Sequence, residues 1–258
     1  MKHIKRNFLF HNQLQNDKRI AEVGNLVKIE EIDQQFLKKK SKDNFVIITT
    51  ELDEKIFSFI YNDNGKQCMI PVPDFSLVNY SFAYNLNIKR KELRKNLVKN
   101  LADISNASEI NFSFAYDYHG TASSCIISLF TSIECFINDI IPEEFEYKIK
   151  SNIKTEIYNK SQIQYSISFN DKLTKVLPQA LGLNFFEKSN PTNVHIHNLR
   201  ELRNEIIHTK SDKTGRNHVE ILKRLLNFKY DETFEATFKL LNFYKKGFIE
   251  ECRCTDSW

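Results

Sequence analysis

Apolar positions along the chain change rhythm near residue 110. Before it the apolar runs are short and β-branched: FVIITT (45–50), KIFSFIY (55–61) and QCMIPV (67–72). Asn62-Asp63-Asn64-Gly65, between the second and third runs, supplies residues that tolerate positive φ. This spacing predicts a small antiparallel meander, with Pro71 and Pro73 ending its last strand or confining it to an edge. The stretch 17–40 reads equally as helix or strand, because Gly24 interrupts its pattern. After the meander, IKRKELRKNLVK (88–99) predicts a helix.

From Ala122 onward the rhythm is helical. Ile126, Phe130, Ile133, Ile137 and Ile140 recur at steps of four and three, one apolar stripe that ends near Pro142. A second helix is expected over 147–158. A third opens with a Ser168-x-x-Asp171 capping box and stops at Gly182. The next spans 191–208, with Pro191 in its first turn. Gly215 breaks the chain before a helix over 218–227, and 231–248 reads as a last amphipathic helix. The expected fold is therefore α+β overall. A small α/β region with an antiparallel meander (1–110) precedes an all-α helical bundle (111–250) and a polar tail (251–258).

Composition narrows the class without naming it. The 258 residues carry 37 Lys+Arg against 33 Asp+Glu, a formal charge of +4, too small an excess to imply nucleic acid by itself. With 6 Gly and 5 Pro the chain is neither collagenous nor of low complexity. No 18 consecutive apolar residues occur, and MKHIKRNFLFHNQLQ lacks the apolar core of a secretion signal, so a soluble, cytoplasmic protein with no membrane association is expected. Cys68, Cys125, Cys135, Cys252 and Cys254 form no paired C-x2-C spacing, and Cys125 and Cys135 read as small core residues. His195 and His197 are two apart on a helix and share no face; His119, before Gly120, reads as part of a turn. No metal site and no cofactor are expected. The positive charge is local: Lys89, Arg90, Lys91, Arg94, Lys95 and Lys99 face a single acid, Glu92. The segment reads either as a patch that tracks RNA phosphates or as a solvated helix face.

One arginine lies on the wrong side of its helix. At 100° per residue, Leu199, Leu202, Ile206 and Ile207 define an apolar face, and Arg203 falls about 40° from its centre. Asn204 and His208 fall at about 140° and 180°. An inward arginine needs a carboxylate or a ligand phosphate, because an unpaired buried charge is very costly. Glu134, at the edge of the upstream stripe, and Asn138, one turn further on, are the candidates to hold it if the two helices pack. The alternative is a buried ion pair without chemistry.

At these residues the sequence resembles a known family. Arg203-Asn204-x-x-x-His208 is similar to the R-x4-6-H motif of HEPN domains, with the polar residue that commonly follows the arginine. SLFTSIECFINDIIPEEF (128–145) resembles the helix that carries a Glu and an Asn in many stand-alone members, and DKLTKVLPQALG (171–182) the segment between the two. The likeness covers about 111–248; residues 1–110 resemble nothing. It implies a helical bundle that dimerises, bringing two motifs into one composite cleft. Many members are metal-independent endoribonucleases of toxin–antitoxin or anti-phage systems, so it implies RNA as substrate and an antitoxin or defence protein as partner. Arg203, Asn204 and His208 would then be catalytic, with Glu134 and Asn138 in support. The 2′-OH of the RNA would attack the neighbouring phosphorus, leaving a 2′,3′-cyclic phosphate and a 5′-OH. Histidine exchanges protons near neutral pH, and arginine stabilises the developing charge. Thr209-Lys210 follow His208, departing from the R-x4-H-x-Tyr form whose tyrosine is modified by a nucleotidyltransferase partner. Some HEPN domains are not catalytic, so the alternative is a dimeric module that binds RNA, a nucleotide or a protein.

Overall fold

The computed structural model describes residues 25–40, 46–49, 55–102, 112–188, 191–210 and 213–249. By compactness the chain divides in sequence between Leu77 and Val78, ahead of the boundary expected at 110. The protein is mixed α/β, with a four-stranded mixed sheet and a helical C-terminal region.

The first unit holds the sheet, in order β1 (Asn25–Lys28), β2 (Val46–Thr49), β3 (Lys55–Asp63) and β4 (Lys66–Pro71). The meander β2–β3–β4 is antiparallel, as its pattern predicts. Asn64 and Gly65, both at positive φ (51° and 92°), turn β3 into β4, and Asn62 Oδ1 accepts from the Gly65 N–H at 2.8 Å. Pro71 ends β4 on the edge of the sheet, where its missing N–H costs no ladder bond. The ambiguous stretch holds both kinds of structure. Its described part gives β1, parallel to β2, then a 3₁₀ turn (Ile29–Glu31) and helix α1 (Gln34–Lys40), whose first turn is capped by Asp33 Oδ1 on the Phe36 N–H. Residues 17–24 lie outside the described residues. Val46, Ile47 and Ile48 are all buried, which suits a strand flanked on both sides.

The second unit is helical. Helix α2 (Phe75–Leu101) starts well before the expected residue 88, and all but its first three residues belong to this unit. Its buried positions Tyr80, Ala83, Asn87, Arg90 and Leu97 follow helical spacing, but two of them are polar. Exposed Phe82 and Ile88 further blur that pattern in the sequence. Helix α3 (Ser113–Ile140) is the centre of the unit. The stripe Ile126, Phe130, Ile133 and Ile137 is buried as expected, while Ile140 is half-buried. Tyr118, Ala122, Cys125, Leu129 and Phe136 are buried as well, so the helix is covered nearly all round. His119-Gly120 lie inside it rather than in a turn, because the apolar sequence on both sides outweighs one glycine.

Among the described residues α3 alone is long and apolar enough, at mean hydropathy 1.4 over 18 residues, to cross a membrane by length and composition. More than half of that window (56%) is buried inside the protein, and the later helices pack on it.

The helix expected over 147–158 is instead a hairpin, β5 (Tyr147–Lys150) and β6 (Thr155–Tyr158). Alternation decides it: Tyr147 is buried between exposed neighbours, and Ser151 makes the turn, accepting from the Lys154 N–H at 3.0 Å. Helix α4 (Lys160–Ser166) opens on a capping box of Asn159 and Gln162. Segment α5 (169–181) consists of a turn, Phe169–Asp171, a π-helical turn, Lys172–Val176, and an α-helical end, Leu177–Leu181. Ser168 caps it as expected, and Gly182 ends it at φ 67°. Helices α6 (Pro191–Ile207), α7 (Arg216–Asn227) and α8 (Tyr230–Tyr244) complete the unit. α6 packs on α3 and α8, and α7 on α3 and α6.

Candidate functional site

Leu199 and Leu202 are fully buried, which fixes the rotation of α6 against α3 and α8. Arg203 consequently turns toward α3, as its angle on the helix predicts. Its guanidinium carbon lies 5.0 Å from the centre of the Phe130 ring, and the Phe130 ring packs on that of Phe169 at 4.6 Å. Nη1 donates to Asn204 Oδ1 at 3.1 Å, while Nε is buried without a hydrogen-bond partner.

The expected ion pair between Arg203 and Glu134 is not formed. Lys172, on the π-helical turn of α5, takes the place assigned to the arginine. It is 3% exposed, and its Nζ donates to Asn138 Oδ1 at 3.0 Å and to the Gln164 carbonyl at 2.8 Å. Burial pushes its pKa down, opposed by the negative charge of Glu134. Phe130, Glu134 and Asn138 are one turn apart along α3, so Arg203 and Lys172 address opposite ends of one strip. Asn138 thus meets a cation, but that cation is Lys172 and not Arg203. Lys172 lies 34 residues from Asn138, a pairing that no local spacing announces.

Beyond Ile207 the helix ends, and the His208 N–H still donates to the Asn204 carbonyl at 2.9 Å. Both side chains are exposed and line an open groove of about 590 Å³ between the end of α6 and α7. Arg224, Glu205, Lys210 and Asn217 line it too. Arg224 pairs with Glu205 through Nη1 and Oε1. Asn217 Nδ2 donates to the Lys210 carbonyl at 3.3 Å, tying the loop after His208 to α7. Arg203 does not line this groove, but its Nη1 bonds Asn204, which does. Asn204 thus joins the two directions of the motif. Arg224, missed in the sequence, has one local signal: Asn217, Glu220 and Arg224 share a polar flank of α7 within about 60° of one another.

The basic segment on α2 is divided by its environment. Arg90 is 6% exposed; its Nε and Nη2 donate to Asn87 Oδ1 at 3.0 and 2.8 Å, and it stacks over Tyr230 at 3.8 Å. It belongs to the packing of the unit and is withdrawn from any RNA contact in this conformation, against expectation. Lys91 is exposed but holds Asp231 at 2.7 Å, and Asn87 donates to the same carboxylate. Lys89, Arg94 and Lys95 are exposed.

Among the described residues no group of three metal-ligating side chains comes together. No protein-family model matches the sequence, and no curated protein or solved structure is similar to it.

Proposed function

We propose that the chain is a metal-independent endoribonuclease of the HEPN type, acting in the cytoplasm as a homodimer in a toxin–antitoxin or anti-phage setting. The observation that carries this reading is the arrangement of the motif on α6. His208 and Asn204 open into a groove of about 590 Å³, and the guanidinium of Arg203 is hydrogen-bonded to Asn204. Cleavage forms a bond from the RNA 2′-oxygen to phosphorus and breaks the bond to the 5′-oxygen. His208 takes the proton from the 2′-OH or delivers one to the departing 5′-oxygen. Arginine meets the charge that accumulates on the phosphorane. The nucleophile is the substrate's own hydroxyl, so the chemistry calls for charge and proton transfer at fixed positions rather than for an activated water. Because Arg203 and His208 diverge within one chain, two chains bring a complete set to one phosphate.

The test is cleavage of a panel of RNAs in EDTA by wild type, His208→Ala and Arg203→Ala, with the product ends identified. Wild type leaves 2′,3′-cyclic phosphate and 5′-OH ends, and His208→Ala lowers the rate by about 10²–10⁴-fold. Equal rates for wild type and His208→Ala refute the assignment. A non-catalytic module that binds RNA, a nucleotide or a protein is the second reading. It is favoured by the packing of Arg203 against Phe130 with Nε enclosed. That reading holds if wild type binds RNA but never cleaves it.

A further inference from the structure

The groove beside His208 contains an arginine, but it is not the arginine of the motif. We propose that Arg224 is the phosphate-binding cation of this groove, and that Glu205 is a built-in counter-ion which a phosphodiester of single-stranded RNA displaces. The inference deepens the ribonuclease reading and rests on it for the choice of phosphate as the anion.

Two observations single out Arg224. Arg203 turns to the α3 side of α6 and is spent on Phe130 and Asn204, whereas Arg224 lines the groove together with His208. The position of Arg224 is also fixed, because Leu225, the next residue on α7, is 1% exposed and anchors the helix. The side chain is only part-buried (36% exposed), and among the described residues the one partner of its guanidinium is a single oxygen of Glu205. Its remaining N–H groups have no protein acceptor there. A guanidinium offers a planar fork, and the two non-bridging oxygens of a phosphodiester match it better than one carboxylate oxygen does.

Charge explains the part given to Glu205. Among the described residues Lys210 and Arg224 face Glu205 and Glu220 in the groove, so these four formal charges cancel. Glu220 is already drawn to Lys223, at 3.1 Å, on its own helix. Glu205 follows Asn204 directly and precedes His208 by three residues, so its carboxylate holds the arginine beside the motif until an anion arrives. Once Glu205 swings away, the guanidinium is free to pair with the incoming phosphate. This device keeps the site closed to weak anions while leaving it open to a polyanion that supplies several phosphates at once.

The experiment uses the full chain and a fluorescent 2′-O-methyl oligoribonucleotide. That strand lacks the attacking hydroxyl, so anisotropy reads binding without cleavage. Arg224→Gln is expected to weaken binding by about 10–100-fold, the loss of one charge-assisted phosphate contact. The slope of log affinity against log salt should fall by about 0.7, the value for one single-strand phosphate. Glu205→Gln is expected to tighten binding several-fold, and the double variant to bind like Arg224→Gln. Arg203→Gln should weaken binding less than Arg224→Gln, and Lys239→Gln, which removes one charge on α8, should change nothing. If Arg224→Gln fails to fold, Glu205→Gln still decides, since it leaves the guanidinium in place. Wild-type affinity in Arg224→Gln, weaker binding in Glu205→Gln, or no binding by wild type overturns the proposal. Binding with this pattern by a wild type that cleaves no RNA refutes the ribonuclease reading and leaves the phosphate site standing.

Discussion

Replacing Lys172 by methionine separates the role the structure gives it from the role the sequence suggests for Arg203. Methionine keeps most of the unbranched side chain and removes the ammonium. Asn138 Oδ1 and the Gln164 carbonyl, bonded to Nζ at 3.0 and 2.8 Å, then lose their donor. A stranded buried acceptor costs about 1–3 kcal/mol. These two are part-buried and recover some bonding to water, and methionine is spared the desolvation that pushes the lysine pKa down. The net expectation is a loss of about 1–3 kcal/mol near neutral pH, read by urea unfolding followed by circular dichroism.

The pH dependence gives a second, independent reading. The folded pKa of Lys172 lies below its ordinary 10.5, so between the two values the unfolded chain binds more protons than the folded one. Wild-type stability from this group therefore rises as pH climbs through that window and is lost as pH falls through the folded pKa. Lys172→Met lacks the rise, so its deficit widens toward alkaline pH. A variant as stable as wild type near neutral pH, with the same alkaline slope, refutes the buried-lysine argument.

Four further outcomes follow from the same structure. Glu134→Ala should cost under about 1 kcal/mol in thermal melting, since the carboxylate has only an indirect attraction to Lys172 to lose; a loss of about 3–5 kcal/mol would restore the buried pair with Arg203. Arg90→Ala should cost about 3 kcal/mol through its bonds to Asn87 and its stack on Tyr230. The triple change of Lys89, Arg94 and Lys95 to Gln should leave urea stability within about 0.5 kcal/mol and flatten any salt dependence of RNA binding. Gly182→Ala should lower stability by about 1 kcal/mol, a purely conformational cost because nothing lies within 4 Å of the added carbon.

What the sequence revealed was local. The Asn64-Gly65 turn, the Ser168 cap and the Gly182 stop depend on neighbours within four residues, the meander pairs strands that follow one another directly in the chain, and each formed. The inward turn of Arg203 was also legible, because helical phase follows from Leu199 and Leu202 alone. What failed was partner choice. Sign and phase match Glu134 and Asn138 to Arg203, but a buried lysine on another segment bonds Asn138 and is the cation that Glu134 attracts. Helical periodicity likewise misreads 147–158, which forms a hairpin, and the charges of Arg90 and Lys91 give no hint that Asn87 and Asp231 engage them. Arg224 meets Glu205 across 19 residues and a change of helix, beyond the reach of any spacing rule.

The coverage of α3 has a consequence for how the protein is made. Its apolar surface is complete once Ile140 is synthesised, yet α6, α7 and α8, which pack on it, end only at Tyr244. At about 5–20 residues per second, translation of the intervening hundred or so residues takes on the order of 5–20 s. Throughout that interval the nascent chain carries a helix with the length and hydropathy of a membrane span whose cover is still incomplete. A chain truncated before α8 would leave the part of α3 under that helix exposed, so the last helix completes the cover of the central one.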